Sequence, residues 1–214
     1  MPFIVALFLM PLIFADPVLA GQQVIADFSK GLDAAGVPHG WQLKEKAGKA
    51  DIAAVRDEGI AAVRLRSSRS SFSLQKEVRV DLKQYPLLSW KWKVTKLPAG
   101  GDFRRASTDD QAAQLFVAFS RTRAIVYIWD TSAPQGTMGD AAGPFFMSLK
   151  AVVVRSGSSE AGKWIAETRN VYEDYRKLFQ EEPGPVTGVR IQINSQHTGT
   201  AAESFFDQVL FTGP

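Results

Sequence analysis

An antiparallel β-sandwich of the jelly-roll kind, carrying one packed helix, is the fold class that this sequence predicts. Three observations point to it. Apolar residues recur with a period of two through most of the chain, the alternating segments are short and regularly spaced, and Ser-, Gly- and Pro-rich turns separate them. The 214 residues, 45% hydrophobic and 22% charged, suffice for one substantial core and make two ordinary domains an unneeded assumption.

Taken in order, the first segment is not part of that sandwich. "MPFIVALFLMPLIFADPVLAGQQ" carries an apolar run from Phe3 to Phe14, about the length of a signal-peptide core and too short to span a bilayer. Val18-Leu19-Ala20 supplies small residues before a cut at Gly21, although no Lys or Arg precedes the run. The expectation is a signal peptide over 1–20 and one β-sandwich domain over 21–214, periplasmic or secreted. Retention of the segment as a membrane anchor is the alternative.

From residue 21 the strands follow. "QVIADF" sets Val24, Ala26 and Phe28 on one face, and "IAAVRLRS" sets Val63 and Leu65 against Arg64 and Arg66. "SSRSS" reads as a hairpin turn before "FSLQKEVRV", where Phe72 and Leu74 resume the alternation. "LLSWKWKV" places Leu88, Trp90, Trp92 and Val94 on one face, and Ser89, Lys91 and Lys93 on the other. The tryptophan face has no polar member, so burial of both indoles is expected, with Lys91 and Lys93 turned outward. "AQLFVAFS" and "AIVYIWD" are apolar on both faces, as central strands covered on each side should be. "FMSLKAVVVRS", "GVRIQINS" and "SFFDQVLF" bring the expectation to about nine or ten strands. From Trp164 to Phe179, apolar and aromatic residues fall at helical spacing until Pro183 and Pro185 forbid continuation, which predicts a helix packed on the sandwich.

Composition excludes several functions. The chain has no cysteine, so disulfides, thiolate metal sites, a cysteine nucleophile and a lipid anchor on cysteine are all ruled out. Two histidines argue against a multi-histidine zinc site. A net charge of +3 is spread without the dense basic stripe of a nucleic-acid binder, and suits acidic polymers or anionic surfaces. There is no G-x-S-x-G elbow, phosphate-cradling loop or H-E-x-x-H motif, so no catalytic residue and no cofactor follow from the sequence.

Two loops are the richest in binding chemistry. The segment 97–114, "LPAGGDFRRASTDDQAAQ", is irregular by its glycines and proline and carries Arg104, Asp109 and Asp110 as candidate ligand contacts. The plain alternative is a solvated loop closed by its own ion pairs. "YIWDTSAPQGTMGD" puts Trp129 at a strand exit as a stacking surface, with Asp130 beside it to accept from a hydroxyl; a core rim residue is the competing reading. Lys91 and Lys93 complete the candidate contacts.

"VDLKQYPLLSWKWKVTKLPAGGD", "DDQAAQLFVAF", "IVYIWD", "ETRNVYEDYRKLF" and "SFFDQVLF" together resemble the bacterial family known as domain of unknown function 3047. "VDLKQYPLLSWKWKV" and "FFDQVLF" are more distantly similar to paired strands of galactose-binding-like jelly rolls, including carbohydrate-binding modules. That resemblance implies the jelly roll and a glycan or other envelope polymer as partner. It also implies a structural calcium near the first and last strands, with Asp27 and Asp207 at the matching positions. Two carboxylates fall short of the six to eight oxygens that calcium takes. A non-catalytic glycan binder is thus the leading expectation, ahead of a periplasmic structural or protein-interaction factor and a polysaccharide hydrolase or lyase.

Overall fold

A computed structural model describes residues 21–143 and 145–214. The expected signal peptide lies outside the described residues. Thirteen strands, one helix and a short 3₁₀ turn at Ala106–Thr108 are present among them. The strands are β1 (Gln22–Ala26), β2 (Gln42–Ala47), β3 (Asp51–Asp57), β4 (Ile60–Ser68), β5 (Ser71–Val80), β6 (Leu87–Lys96) and β7 (Ala113–Ala118). They continue as β8 (Arg123–Asp130), β9 (Met138–Asp140), β10 (Ser148–Ser156), β11 (Ile165–Asn170), β12 (Val186–Asn194) and β13 (Ala201–Thr212), with α1 at Val171–Phe179.

Two sheets face each other across one core. The first runs β11-β6-β13-β4-β3, with β1 also pairing β13, and the second runs β2-β5-β12-β7-β8-β10-β9. Strand β13 changes partner along its length: Ala201–Phe206 pair with β4, and Val209–Thr212 pair with β1. The changeover falls at Asp207–Gln208, where the pairing with β6 shifts register and Gln208 takes a positive φ of 51°. An extra residue there bends and twists the strand toward its new partner. The pairing is antiparallel except for β8 and β10, which run parallel. A parallel pair needs a long crossover, and the segment 131–147 supplies it, with β9 inside it.

The tryptophan strand behaves as its alternation predicts. Trp90 and Trp92 are both fully buried between the sheets. Trp90 stacks on Tyr127 with ring centres 5.4 Å apart, and Trp92 meets Trp129 at 5.9 Å and Phe206 at 6.3 Å. One aromatic spine therefore ties β6 and β13 of the first sheet to β8 of the second. The strands predicted to be apolar on both faces also behave so: beyond the main core, Phe116, Val126, Ile128, Leu149, Ala151 and Val153 form a second cluster with Phe103 on the outer side of the second sheet.

The helix begins later than its apolar spacing predicts. Residues 165–170 form strand β11 instead, pairing residue for residue with β6 from Ile165 opposite Trp92 to Asn170 opposite Leu87. The same residues also alternate, with Ile165, Glu167 and Arg169 partly covered and Ala166, Thr168 and Asn170 exposed, and edge pairing to β6 satisfies that period. Asn170 then caps the helix, its side chain accepting from the Glu173 amide at 3.0 Å. Tyr175 is buried against Phe119, and Gln180 closes the helix in the left-handed conformation.

Candidate functional site

The outer face of the second sheet is the site with the most binding chemistry. Strands β5, β12, β7 and β8 send Phe72, Leu74, Val189, Ile191, Ile193, Leu115, Val117, Ile125 and Tyr127 into the main core. Period two then turns the intervening residues outward. Register lines them up in rows across the strands. One row reads Gln42, Gln75, Arg190, Phe116, Val126, Ala151; the next reads Lys44, Ser73, Gln192, Gln114, Ile128, Val153. Each row passes from amides and cations on β2, β5 and β12 to apolar side chains on β8 and β10.

Two depressions of about 280 and 210 Å³ lie along that boundary and share Phe116, Met147 and Arg190. A third row, Glu77, Gly188, Ala118, Ala124, lowers the floor at one end because its inner members have little or no side chain. The wall on the apolar side is the crossover loop, through Ala141, Ala142, Gly143 and Met147. On the same loop Phe145 and Phe146 stand exposed, with ring centres 5.7 Å apart and edge to face. The far end is closed by Asp109, Gln111, Asn194 and His197.

Polar partners hold this floor in place. The Gln114 amide donates to Asn194 Oδ1 at 2.5 Å, and Gln192 donates to Gln114 Oε1 at 3.4 Å. Asn194 also accepts from the Gln111 backbone at 2.9 Å and donates to the Asp109 carbonyl at 2.7 Å. Arg190 lies over Phe116 with its guanidinium carbon 3.7 Å from the ring centre. Burial pushes that guanidinium down to about 10, which still leaves it charged at neutral pH.

Of the candidates predicted from sequence, Asp109 lines the groove and the others are held elsewhere. Asp110 is fully buried and accepts from the Thr198 amide at 2.6 Å. Arg104 is exposed and grips Asp102 through two guanidinium hydrogen bonds of 2.8 and 2.7 Å. The strand-exit stacking role for Trp129 is corrected: its ring has no exposed surface and its Nε1 donates to the Gly157 carbonyl at 2.9 Å. Asp130 is equally buried and accepts from the amides of Phe103, Ser132 and Ala133. Lys91 and Lys93 lie on the outer face of the first sheet, away from the groove. Lys93 is also buried rather than exposed, because Asp57 and Glu58 hold its ammonium at 2.8 and 2.9 Å.

Arg190, Phe116, Gln75, Gln114, Gln192 and Asn194 were not singled out from sequence. The signal was present in "GVRIQINS", where Val189, Ile191 and Ile193 alternate with Arg190, Gln192 and Asn194. As for the expected calcium positions, Asp27 accepts from the amide and hydroxyl of Ser29, both at 3.0 Å. Burial raises the Asp207 carboxyl, with a smaller contribution from Asp27. Among the described residues no group of three or more acidic or histidine side chains gathers to hold a metal ion.

Burial likewise raises the Asp109 carboxyl above its ordinary 3.8, against a hydrogen bond from Gln111 that lowers it. A carboxyl raised in the folded state weakens the fold as pH climbs from the unfolded value through the folded one. Asp109→Asn, which keeps an acceptor for Gln111, is therefore expected to be more stable than the wild type at pH 7. That advantage should vanish at pH 3, where both side chains are neutral; thermal unfolding at the two pH values checks it.

Comparison with known proteins places the chain. No curated protein sequence matches it. Among solved structures it is similar to the xyloglucanase domain of NopAA, a type three effector from Sinorhizobium fredii in complex with cellobiose. The identity is 10%, 94% of this chain and 100% of that one are covered, and the TM-score is 0.52. A family 11 carbohydrate-binding module of Clostridium thermocellum is similar at 8% identity, covering 91% and 95%, with a TM-score of 0.49. At such identities the first likeness speaks for the β-sandwich fold alone, and the second adds nothing to it. No described helix is long and apolar enough to cross a membrane. A family model described as "Protein of unknown function (DUF3047)" matches residues 39–210, and this chain belongs to that family.

Proposed function

We propose that this is an exported, non-catalytic binding protein that lays a glycan chain along the groove of the second sheet. The observation that carries the reading is the pair of adjoining rows Gln42, Gln75, Arg190, Phe116 and Ser73, Gln192, Gln114 on one open face. A sugar presents hydroxyls that both donate and accept, together with an apolar ring face. Side-chain amides match the hydroxyls because each carries a donor and an acceptor. Phe145 and Phe146, exposed on the crossover loop whose Gly143 and Met147 line the groove, offer flat apolar surfaces for the ring. A domain of similar fold in NopAA was solved with cellobiose, so this architecture is able to present a sugar-binding face. Export rests on the apolar run within residues 1–20.

Calorimetry against a panel of neutral and acidic polysaccharides tests the reading. The wild type is expected to bind at least one, and Gln75→Ala/Gln192→Ala to bind that polymer about thirtyfold more weakly, since each of the two lost hydrogen bonds is worth about 1 kcal/mol. Lys91→Ala, on the opposite sheet, is expected to bind as the wild type does. Equal weakening by Lys91→Ala, or binding to no member of the panel, would overturn it.

A further inference from the structure

Five arginines are partly buried among the described residues: Arg64, Arg123, Arg155, Arg169 and Arg190. Four of them are neutralised by a carboxylate of the same chain. Arg64 pairs with Asp51 at 2.8 Å, Arg123 with Glu181 at 2.5 Å, Arg155 with Glu160 and Glu167 at 2.6 Å, and Arg169 with Asp174 at 2.5 Å. Arg190 has no such partner among the described residues, and its guanidinium lies over the face of Phe116. A guanidinium is costly to desolvate and is ordinarily satisfied by a planar acceptor. This one sits where the two depressions of the groove meet, so both open onto it.

Cations outnumber carboxylates around it. Lys46, Arg121 and Arg190 line the two depressions, against Glu77 and Asp109, while Lys76 turns its ammonium away to the Ile25 carbonyl at 2.7 Å. Burial holds the Asp109 carboxyl above its ordinary range. The small positive surplus favours an anionic ligand.

We infer that Arg190 is the receptor for a sugar carboxylate, and that the groove takes a polysaccharide built from uronic acids. This rests on the glycan-binding reading above and names its ligand class. A carboxylate accepts two parallel N–H bonds from one guanidinium, and stacking on Phe116 holds that fork in a fixed plane. Gln75 and Gln192 lie directly beside Arg190 in sheet and strand, in position to read the hydroxyls of the same sugar ring. A single guanidinium flanked by amides suits a carboxylate on a hydroxyl-rich ring, whereas a polymer bound by charge alone would need only the other cations.

The experiment pairs polygalacturonate, alginate and hyaluronate with their methyl esters, which keep the backbone and cap the carboxylate. Dextran sulfate serves as the charge control, and all are measured by calorimetry in 0.15 and 0.5 M NaCl. The wild type is expected to prefer at least one acid form over its ester by about 10- to 100-fold, and to retain that preference at the higher salt. Arg190→Met, which keeps the apolar stem over Phe116, is expected to lose the preference, the acid form weakening far more than its ester. Arg190→Lys, which keeps the charge and lacks the planar fork, is expected to recover only part of it. Equal binding of acid and ester, an undiminished preference in Arg190→Met, or dextran sulfate binding as tightly as the best acid would each overturn the inference and leave glycan binding standing. Binding to none of these, with the neutral polymers also silent, would remove both.

Discussion

Trp92→Ala is expected to destabilise the fold by about 3–5 kcal/mol, the cost of emptying a large buried aromatic site. The ring has no exposed surface and touches Trp90, Trp129 and Phe206, so its loss opens the core on both sheets at once. A second penalty comes from its indole N–H, which donates to Glu167 Oε1 at 3.1 Å. That carboxylate, itself mostly covered, also takes Arg155 and would be left with one donor fewer. Trp90→Phe supplies an internal comparison. The Trp90 indole N–H is buried without an acceptor among the described residues, so the change loses volume and sheds an unsatisfied donor. It is expected to cost less than Trp92→Phe in the same denaturant titration, and Lys91→Ala to stay within about 0.5 kcal/mol of the wild type.

Asp130→Ala is expected to cost about 3–4 kcal/mol and to abolish ligand binding as well. The carboxylate is fully buried and accepts from Phe103 at 3.0 Å, Ser132 at 2.8 Å and Ala133 at 2.7 Å. Removing it strands three amide donors, of which the buried ones carry a penalty of about 1–3 kcal/mol each. Those amides belong to the two loops that wall the groove: Phe103 comes from the segment before β7, and Ser132 and Ala133 from the crossover after β8. Asp130 thus acts as a positioning residue for the site without touching the ligand. Asp130→Asn keeps one acceptor oxygen and is expected to recover part of both stability and affinity. Thermal unfolding together with calorimetry on the polymer that the wild type binds checks the pair.

Much of the architecture was legible in the sequence because it depends on a local period. "LLSWKWKV" buries its tryptophans on one face and turns its lysines to the other, as alternation requires. "AQLFVAFS" and "AIVYIWD" are covered on both sides by the two apolar clusters. The misread stretch was 164–170, where apolar spacing fits a helix and a strand alike, and edge pairing with β6 decides between them. Strand count was also low: β2, β3 and the three-residue β9 went unread, and β11 was taken into the helix.

The site was harder to read for a different reason. Binding residues were sought in the charged loop 97–114, where Asp109 does line the groove, but Arg104 closes on Asp102 within the loop and Asp110 accepts from Thr198. The residues that line the groove come from strands far apart in sequence. Arg190 and Phe116 are 74 positions apart and become neighbours only through the β12–β7 register. Taken singly, Arg190 and Gln192 look like an ordinary solvated strand face, and Phe116 looks like core. Only the pairing shows that an arginine without a carboxylate lies on that phenylalanine, and that amides continue the row.

The central claim is that the outer face of the second sheet is the ligand surface. Backbone amide NMR during titration with an oligosaccharide of whichever polymer the wild type binds tests it most directly. The expected result is shift changes concentrated at Gln75, Gln114, Phe116, Arg190 and Gln192, with Lys91, Lys93 and Phe205 on the far sheet unmoved. Shifts centred on Lys91 and Lys93, with the groove residues silent, would contradict it.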